Sequence, residues 1–181
     1  MIAILLNDAS FEQDIRELLM AFYPGETFTH KEEEAGEAAL IVRGVRDGNS
    51  FSLDVTPVKK EAVHFALIYP DFSNRFETKN EIKQTLYRLL SAQTGRELPW
   101  GTLTGIRPTK IALTKLYDGW TDEQIETYMR ETYFTSKEKI DLSIDVAERE
   151  RRLLSTIDYE NGYSLYVGIP FCPTTCLYCS F

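Results

Sequence analysis

The stretch Leu40-Ile-Val-Arg-Gly-Val-Arg-Asp-Gly-Asn-Ser-Phe-Ser-Leu-Asp-Val55 contains two runs of alternating apolar and polar residues on either side of Asp47-Gly48. An Asp-Gly pair between two such runs is a strong signal for a β-hairpin with a two-residue turn. A slip of one residue would turn every side chain to the other face, so the pattern constrains the register. Pairing outward from the turn predicts an apolar face on which the opposite residues are Gly44 and Phe51, Val42 and Leu53, Leu40 and Val55.

The residues before the hairpin predict a strand, an amphipathic helix and a second strand. Ile2–Leu6 is a short apolar run typical of a buried strand. Asp8 or Ser10 can cap the helix that follows. Residues 26–30 can form the second strand, whereas residues 31–37 are polar and acidic and predict a loop. The apolar stripe of the helix has helical spacing and consists of Phe11, Ile15, Leu18, Leu19 and Phe22.

The residues after the hairpin predict one more strand and a helix. Residues 63–69 can form the strand, and residues 76–92 the helix, which Gly95 can end. The buried stripe of this helix is expected to be Ile82, Leu86, Leu89 and Leu90. A strand, a helix, a meander and a further helix together predict an α+β domain over residues 1–97, with its helices on one face of a small sheet.

Residues 98–160 predict a helical segment of three helices, the first of which covers residues 108–117. Two capping boxes open the second and third helices: Thr121 with Gln124, and Thr135 with Glu138. The apolar faces are expected to be Ile125, Tyr128 and Met129 in the second helix, and Ile140, Ile144, Ala147, Leu154 and Ile157 in the third. The charged run at residues 148–152 predicts a solvated face with pairs between residues four apart.

The stretch at residues 98–110 joins the two predicted parts. Gly105 could adopt an unusual backbone angle, and Pro108 suits the first turn of a helix. Arg107 and Lys110 would then lie at a helix N-terminus and could bind an anion such as a substrate carboxylate. The alternative, which we favour, is an ordinary turn in which Trp100 packs between the two parts.

The composition excludes several classes of protein. Apolar residues make up 43% of the 181, which is enough for a core, but no apolar run reaches the 18 or more residues of a membrane span. The formal net charge of −8 argues against nucleic acid as a partner, and against a DNA-binding role for the predicted helices. We therefore expect neither a nucleic-acid partner nor a membrane partner.

All three cysteines lie in the final stretch, as Cys172, Cys176 and Cys179, in the spacing C-x3-C-x2-C. Three thiolates this close can converge on one metal centre, and a [4Fe–4S] cluster with three of its four usual thiolates would keep one iron open. A structural zinc site requires four ligands, and only His30 and His64, both distant in the sequence, could supply the fourth ligand. An odd count disfavours a disulfide framework, and thiols kept for a metal suit a reducing cytoplasm.

The final stretch resembles the cluster loop of the radical S-adenosylmethionine enzymes. Its flanks, Tyr166-Val-Gly-Ile-Pro-Phe-Cys and Tyr178-Cys-Ser-Phe, resemble the oxygen-independent coproporphyrinogen III oxidases and their relatives. Residues 98–110 resemble a signature of the branch with a long N-terminal extension. The resemblance implies that the three cysteines hold the cluster, that S-adenosylmethionine binds its open iron, that Tyr178 packs near the adenine and that Tyr166 lies beside that site.

The resemblance also implies a fold and a reaction. Residues 161–181, entered through the apolar run at 164–169, would be the first strand and cysteine loop of a truncated (β/α) barrel. The chain would be the N-terminal part of a larger enzyme and inactive alone, with no catalytic residue of its own. The implied reaction is oxidative decarboxylation of coproporphyrinogen III to protoporphyrinogen IX in haem biosynthesis, with the porphyrinogen bound by the barrel and an electron donor as partner.

Two residues depart from the best-characterised dehydrogenases of this branch. Gly168 stands where they have histidine, and Phe181 where they have a further cysteine. Both changes occur in relatives that are not proven decarboxylases, so two alternatives stay open. One is a haem-binding, chaperone-like relative, and the other is that residues 1–160 form an interaction module without chemistry of their own.

Overall fold

The computed structural model of the protein describes residues 1–58, 63–105, 107–158, 161–163, 165–168, 172 and 177. Its five-stranded sheet has the order β2-β1-β3-β4-β5 and is mixed. β1 is parallel to both β2 and β3, whereas β3, β4 and β5 form an antiparallel meander. The strands are β1 (Ile2–Leu6), β2 (Phe28–Thr29), β3 (Leu40–Asp47), β4 (Ser50–Pro57) and β5 (His64–Ile68).

The described helices have the bounds α1 (Glu12–Phe22), α2 (Arg75–Thr94), α3 (Thr109–Tyr117), α4 (Asp122–Tyr133) and α5 (Lys137–Leu154). The fold is therefore α+β, as predicted. None of these helices combines the length and the apolarity that crossing a bilayer requires. Short 3₁₀ turns occur at Ala9–Phe11, where the Asp8 side chain accepts from the N–H of Ser10, and at Glu32–Glu37, where the sequence predicted a loop.

The main core lies between one face of the sheet and the helices α1 and α2. The whole predicted stripe of α1 is buried, and so is that of α2 except for the partly buried Leu89. Gly95 ends α2 in the left-handed conformation with φ 68°, as expected. On the opposite face of the sheet the 3₁₀ turn at Glu32–Glu37 packs its buried Ala35 against Ala3. A single apolar face against two helices is the usual way for such a sheet to bury its side chains.

The β3–β4 hairpin has the predicted apolar face but a different register. Asp47 pairs with Ser50, so that the turn is Gly48-Asn49 and Val42 lies opposite Val55 instead of Leu53. Gly48 has φ 55° and occupies the first central position, which is where a type II′ hairpin turn requires glycine. Because the shift is two residues, each side chain keeps its predicted face, and the buried residues of the hairpin include Leu40, Val42, Phe51, Leu53 and Val55.

A second apolar cluster holds α3, α4 and α5 together. Its buried residues include Ile125, Met129, Ile140, Ile144 and Ala147. The capping box of Thr121 and Gln124 is present as predicted.

The predicted start and end of the third helix are wrong. α5 begins after Ser136, and neither Ser136 nor Thr135 makes a side-chain cap hydrogen bond. The helix ends at Leu154, before Ile157, which is 58% exposed. Beyond that end no described element offers Ile157 a surface to pack on, so helical spacing alone did not bury it.

One further expectation near the C-terminal end differs from the structure. The N–H of Gly162 donates to the Asp158 carbonyl at 2.9 Å. The barrel strand expected to follow is not seen, because residues 165–168 have no regular secondary structure. A strand requires hydrogen bonds to a neighbouring strand, and no described strand lies beside these residues.

Candidate functional site

The cysteine motif is described only in part. Cys172 is exposed, and Tyr166 is 88% exposed. Cys176, Cys179 and Tyr178 lie outside the described residues. Among the residues that the structure does describe, no group of three or more His, Cys, Asp or Glu side chains could hold a metal ion.

The donor set nevertheless suits an iron–sulfur cluster in its chemistry. Three thiols in the spacing C-x3-C-x2-C are the ligand type that such clusters take. Cys172 is exposed, so nothing in the described part of the chain buries its thiol away from a cluster. The apolar residues leading to it are also exposed, with Leu165 at 80% and Val167 at 78%. A segment this apolar is expected to be covered in the working protein.

The stretch at residues 98–110 is bound tightly to both halves of the chain. The backbone N–H of Leu98 donates to the hydroxyl of Tyr87 in α2 at 2.9 Å. The Pro99 carbonyl accepts from the N–H of Ser136 at 2.9 Å, next to the start of α5. The N–H of Thr102 donates to the Tyr133 carbonyl at 2.8 Å. These hydrogen bonds connect residues 98–102 to α2, to the end of α4 and to the start of α5.

The left-handed glycine of this stretch is Gly101, and the expectation for Gly105 is wrong. Gly101 has φ 57°, whereas the φ of Gly105 lies outside the left-handed region. Gly101 faces the end of α4, where a side chain would collide with backbone. Gly105 has open space around it, so packing places no demand on its backbone.

A partly buried chain of polar side chains crosses from α2 through this stretch to α1. Lys83 Nζ donates to Thr104 Oγ1 at 2.8 Å, and Thr104 Oγ1 donates to Glu17 Oε2 at 2.7 Å. Lys83 is buried, with 6% of its surface exposed. No pattern in the sequence indicates this site, because its three residues are distant along the chain. An alternation of apolar and polar residues cannot reveal a buried lysine.

The electrostatics of this chain favour an ionised Glu17. Burial alone would raise the pKa of Glu17, but hydrogen bonds from Gln13 and Thr104 and the charge of Lys83 outweigh it, so the pKa is lowered. Burial lowers the pKa of Lys83, although Asp14 and Glu17 act in the opposite direction. Lys83, Thr104 and Glu17 therefore connect α2 to α1 through hydrogen bonds.

Arg107, which belongs to the predicted anion site at the start of α3, has a carboxylate partner within the chain. Arg107 donates from its guanidinium to Glu150 Oε1 at 3.1 Å, and Lys110 is exposed. Trp100 is half-buried and lies near α5, with the ammonium of Lys139 6.0 Å from its ring centre. An arginine already paired with a carboxylate offers less to a ligand, which favours the interpretation as an ordinary turn.

A cavity of about 320 Å³ lies at the carboxyl ends of the parallel strands. β1 leads through α1 to β2 on one side, and the chain then returns to β3 on the other side, so this is a topological switch point. His30 lines the cavity and packs its Nδ1 3.2 Å from the Ile4 carbonyl oxygen. The charged residues of the cavity wall, Arg43 and Glu32, pair with each other. The polar side chains of the cavity wall therefore already have partners within the protein.

Comparison with known proteins gives one finding about the class and one about a particular relative. The chain is similar to an oxygen-independent coproporphyrinogen-III oxidase-like protein, which confirms the resemblance of its sequence to that branch of the radical S-adenosylmethionine proteins. The relative is HemZ of Bacillus subtilis, to which the chain is 36% identical over 130 residues. The match covers 70% of this chain and 26% of HemZ, so the chain spans about a quarter of that relative. No family model matches the chain, and no solved structure is significantly similar to it.

Proposed function

We propose that this chain is part of a radical S-adenosylmethionine oxidoreductase of haem biosynthesis, and that it forms the N-terminal part of that enzyme. The observation that carries the proposal is the 36% identity to HemZ, whose name describes it as coproporphyrinogen-III oxidase-like. The cysteine motif supports it, because the spacing and the donor type are those expected for a cluster with an open iron. The proposed reaction is oxidative decarboxylation of coproporphyrinogen III to protoporphyrinogen IX in the cytoplasm.

In this proposal the residues of the chain bind and orient. Cys172, Cys176 and Cys179 each ligate one iron of a [4Fe–4S] cluster. Tyr166 and Tyr178 line the site of S-adenosylmethionine. The cluster held by these cysteines would supply one-electron reduction of S-adenosylmethionine.

The test is anaerobic reconstitution of the polypeptide that contains this chain. We expect about four irons per chain, release of deoxyadenosine after reduction in the presence of S-adenosylmethionine, and turnover of coproporphyrinogen III. Replacing Cys172, Cys176 or Cys179 by Ala should abolish all three. Thr175→Ala, a change in the same loop that removes no thiol, is the matched control and should keep them. Variants without the cysteines that retained iron and still cleaved S-adenosylmethionine would refute the proposal.

A second function is also considered, because Gly168 and Phe181 differ from the residues that the best-characterised dehydrogenases have at these positions. A haem-binding, chaperone-like protein would bind haem in a one-to-one ratio and leave coproporphyrinogen III unchanged. A chain that retained a protein partner after loss of its cluster would instead favour an interaction module. The same reconstituted protein can be examined for all three outcomes.

A further inference from the structure

A cavity of about 490 Å³ lies between α2 and the junction of α4 with α5. Its walls include Arg88 and Ser91 of α2, together with Arg130, Phe134 and Thr135 from the junction. These residues are remote in sequence from the cysteine motif, and the proposed function uses none of them. Three properties of the cavity together indicate a ligand: hydroxyls without hydrogen-bond partners, an arginine without an ion pair among the described residues, and a flat apolar surface.

The first property is a pair of buried hydroxyls without partners. Thr135 is 3% exposed, yet its Oγ1 makes no hydrogen bond to the described residues, and the same holds for Ser91 Oγ. Buried hydroxyls almost always have a partner, because leaving one unsatisfied is costly. Thr135 also does not cap the adjacent α5, although its sequence position predicted that it would. Protein atoms enclose this oxygen, and Thr135 lines the cavity, so a small shift of its side chain would present the hydroxyl to a bound group.

The second property is positive charge. The guanidinium of Arg88 lies over the ring of Phe134 at 4.8 Å and makes no ion pair with any described carboxylate. Arg130 uses Nη1 to bind Glu126 at 3.1 Å, which leaves other guanidinium donors free. Glu97 is the acidic residue among the lining side chains, and Glu126 pairs with Arg130, so Arg88 is the arginine of the cavity without an ion-pair partner among the described residues. Guanidinium groups bind carboxylate and phosphate in a planar, two-point geometry.

The third property is a flat apolar wall. The rings of Tyr87 and Phe134 are tilted against each other with their centres 5.6 Å apart, and both line the cavity. Phe134 is the non-glycine residue with a left-handed backbone, at φ 57°, in the described chain. Such conformations persist only where the surroundings enforce them, and they cluster at binding sites. The strained backbone holds the ring beneath Arg88.

We propose that this cavity binds a small anion in which a carboxylate or a phosphate is attached to a flat apolar ring. The oxyanion accepts from Arg88, Arg130 and the hydroxyl of Thr135. The ring of the ligand stacks on Phe134 and Tyr87. This site is independent of the iron–sulfur proposal, since it uses no cysteine and no residue beyond Thr135.

The test is titration of the ¹⁵N-labelled chain with phenyl phosphate and, separately, benzoate, followed by NMR. We expect saturable shifts of the amide signals of Ser91, Phe134 and Thr135 with at least one of the two, and the two arms tell phosphate from carboxylate. Benzyl alcohol, which lacks the charge, should bind at least about tenfold more weakly. Inorganic phosphate, which lacks the ring, should also bind more weakly than phenyl phosphate. Absence of saturable shifts with both anions, or equal binding of benzyl alcohol, would overturn the proposal.

Three variants sharpen the test. Arg88→Gln should weaken binding about tenfold. Arg16→Gln is the matched control, because Arg16 also lies over an aromatic ring, that of Phe28 at 5.3 Å, but is not part of the cavity wall. Equal effects of these two variants would contradict the proposed site.

The third variant, Thr135→Val, should weaken binding and leave the urea midpoint of the free chain unchanged or higher, because the hydroxyl loses no partner. A lower urea midpoint together with unchanged affinity would show that the hydroxyl has a structural role and would overturn the proposal.

Discussion

Gly101 lies against the carbonyl oxygen of Tyr133 so closely that a Cβ atom at Gly101 would be 1.9 Å from that oxygen. The same carbonyl accepts from the N–H of Thr102 at 2.8 Å. Both partners in this contact are backbone, so no side-chain rotation can relieve it. Since Gly101 belongs to the stretch at residues 98–110 and Tyr133 ends α4, this contact fixes that stretch to the end of α4.

Replacing Gly101 by Ala should therefore lower the free energy of unfolding by more than about 3 kcal/mol, through steric collision in addition to the left-handed φ. Gly119→Ala is the matched control, because Gly119 has φ 80° but open space around it. That variant should lose only about 1–2 kcal/mol, the cost of the backbone conformation. Urea unfolding followed by circular dichroism measures both, and similar losses would show that the close contact does not matter.

The polar chain through Thr104 gives a second prediction. Thr104→Val should destabilise the protein by about 1–3 kcal/mol, because Lys83 and Glu17 both lose a partly buried hydrogen-bond partner. The exposed Thr114 on α3 provides the control, and Thr114→Val should stay within about 0.5 kcal/mol of the parent in urea unfolding. Adding Lys83→Met to Thr104→Val should recover part of the loss, because it removes the stranded charge. A double variant less stable than Thr104→Val would argue against this role of the hydrogen bonds between Lys83, Thr104 and Glu17.

A pH dependence follows from Asp8. Hydrogen bonds from the side chain and backbone of Ser10 and from Arg46 lower the pKa of Asp8 to about 2, from 3.8. Because the folded-state pKa is the lower one, this stabilisation is complete above about pH 4 and is lost as the pH falls towards 2. Asp8→Asn should flatten the dependence of the urea midpoint on pH in this window, and Ser10→Ala should flatten it partly. An unchanged pH profile in Asp8→Asn would contradict the assignment.

We propose a boundary near residue 97, which lies between the two apolar clusters in the sequence. We nevertheless expect the two clusters to unfold together. Phe134 from the helical segment packs against the main core, and Leu98 does so as well. Leu86→Ala in one cluster and Ile125→Ala in the other should each cost about 2–5 kcal/mol and shift the same single calorimetric transition. Two separate transitions, each shifted by only one of the variants, would show that the domains unfold independently.

The sequence by itself determined where most elements lie and which side chains of α1 and of the hairpin face the core. The stripe of α1 and the apolar face of the hairpin are as predicted, because the direction of each side chain follows from the period of its own backbone. The capping box of Thr121 is likewise a local exchange of hydrogen bonds within one turn. The similarity to HemZ and the spacing of the three cysteines are also properties of the sequence alone.

The tertiary structure decided what depends on residues distant in the chain. Two hairpin registers that differ by two residues bury the same side chains, so periodicity could not choose between Asp47-Gly48 and Gly48-Asn49 as the turn. Gly101 and Gly105 both precede a predicted helix in the same stretch, and only the approach of Tyr133 selects Gly101 for the left-handed conformation.

The cavity at the end of α4 was decided in the same way. α3 and α4 lie between Arg88 and Thr135 in the sequence. The residues around Thr135 have the sequence pattern of a helix cap. The packing of α2 against α4 brings the two residues to one cavity and leaves the hydroxyl of Thr135 without a partner. Local patterns set the direction of a side chain, whereas its neighbours come from elements that meet only when the chain folds.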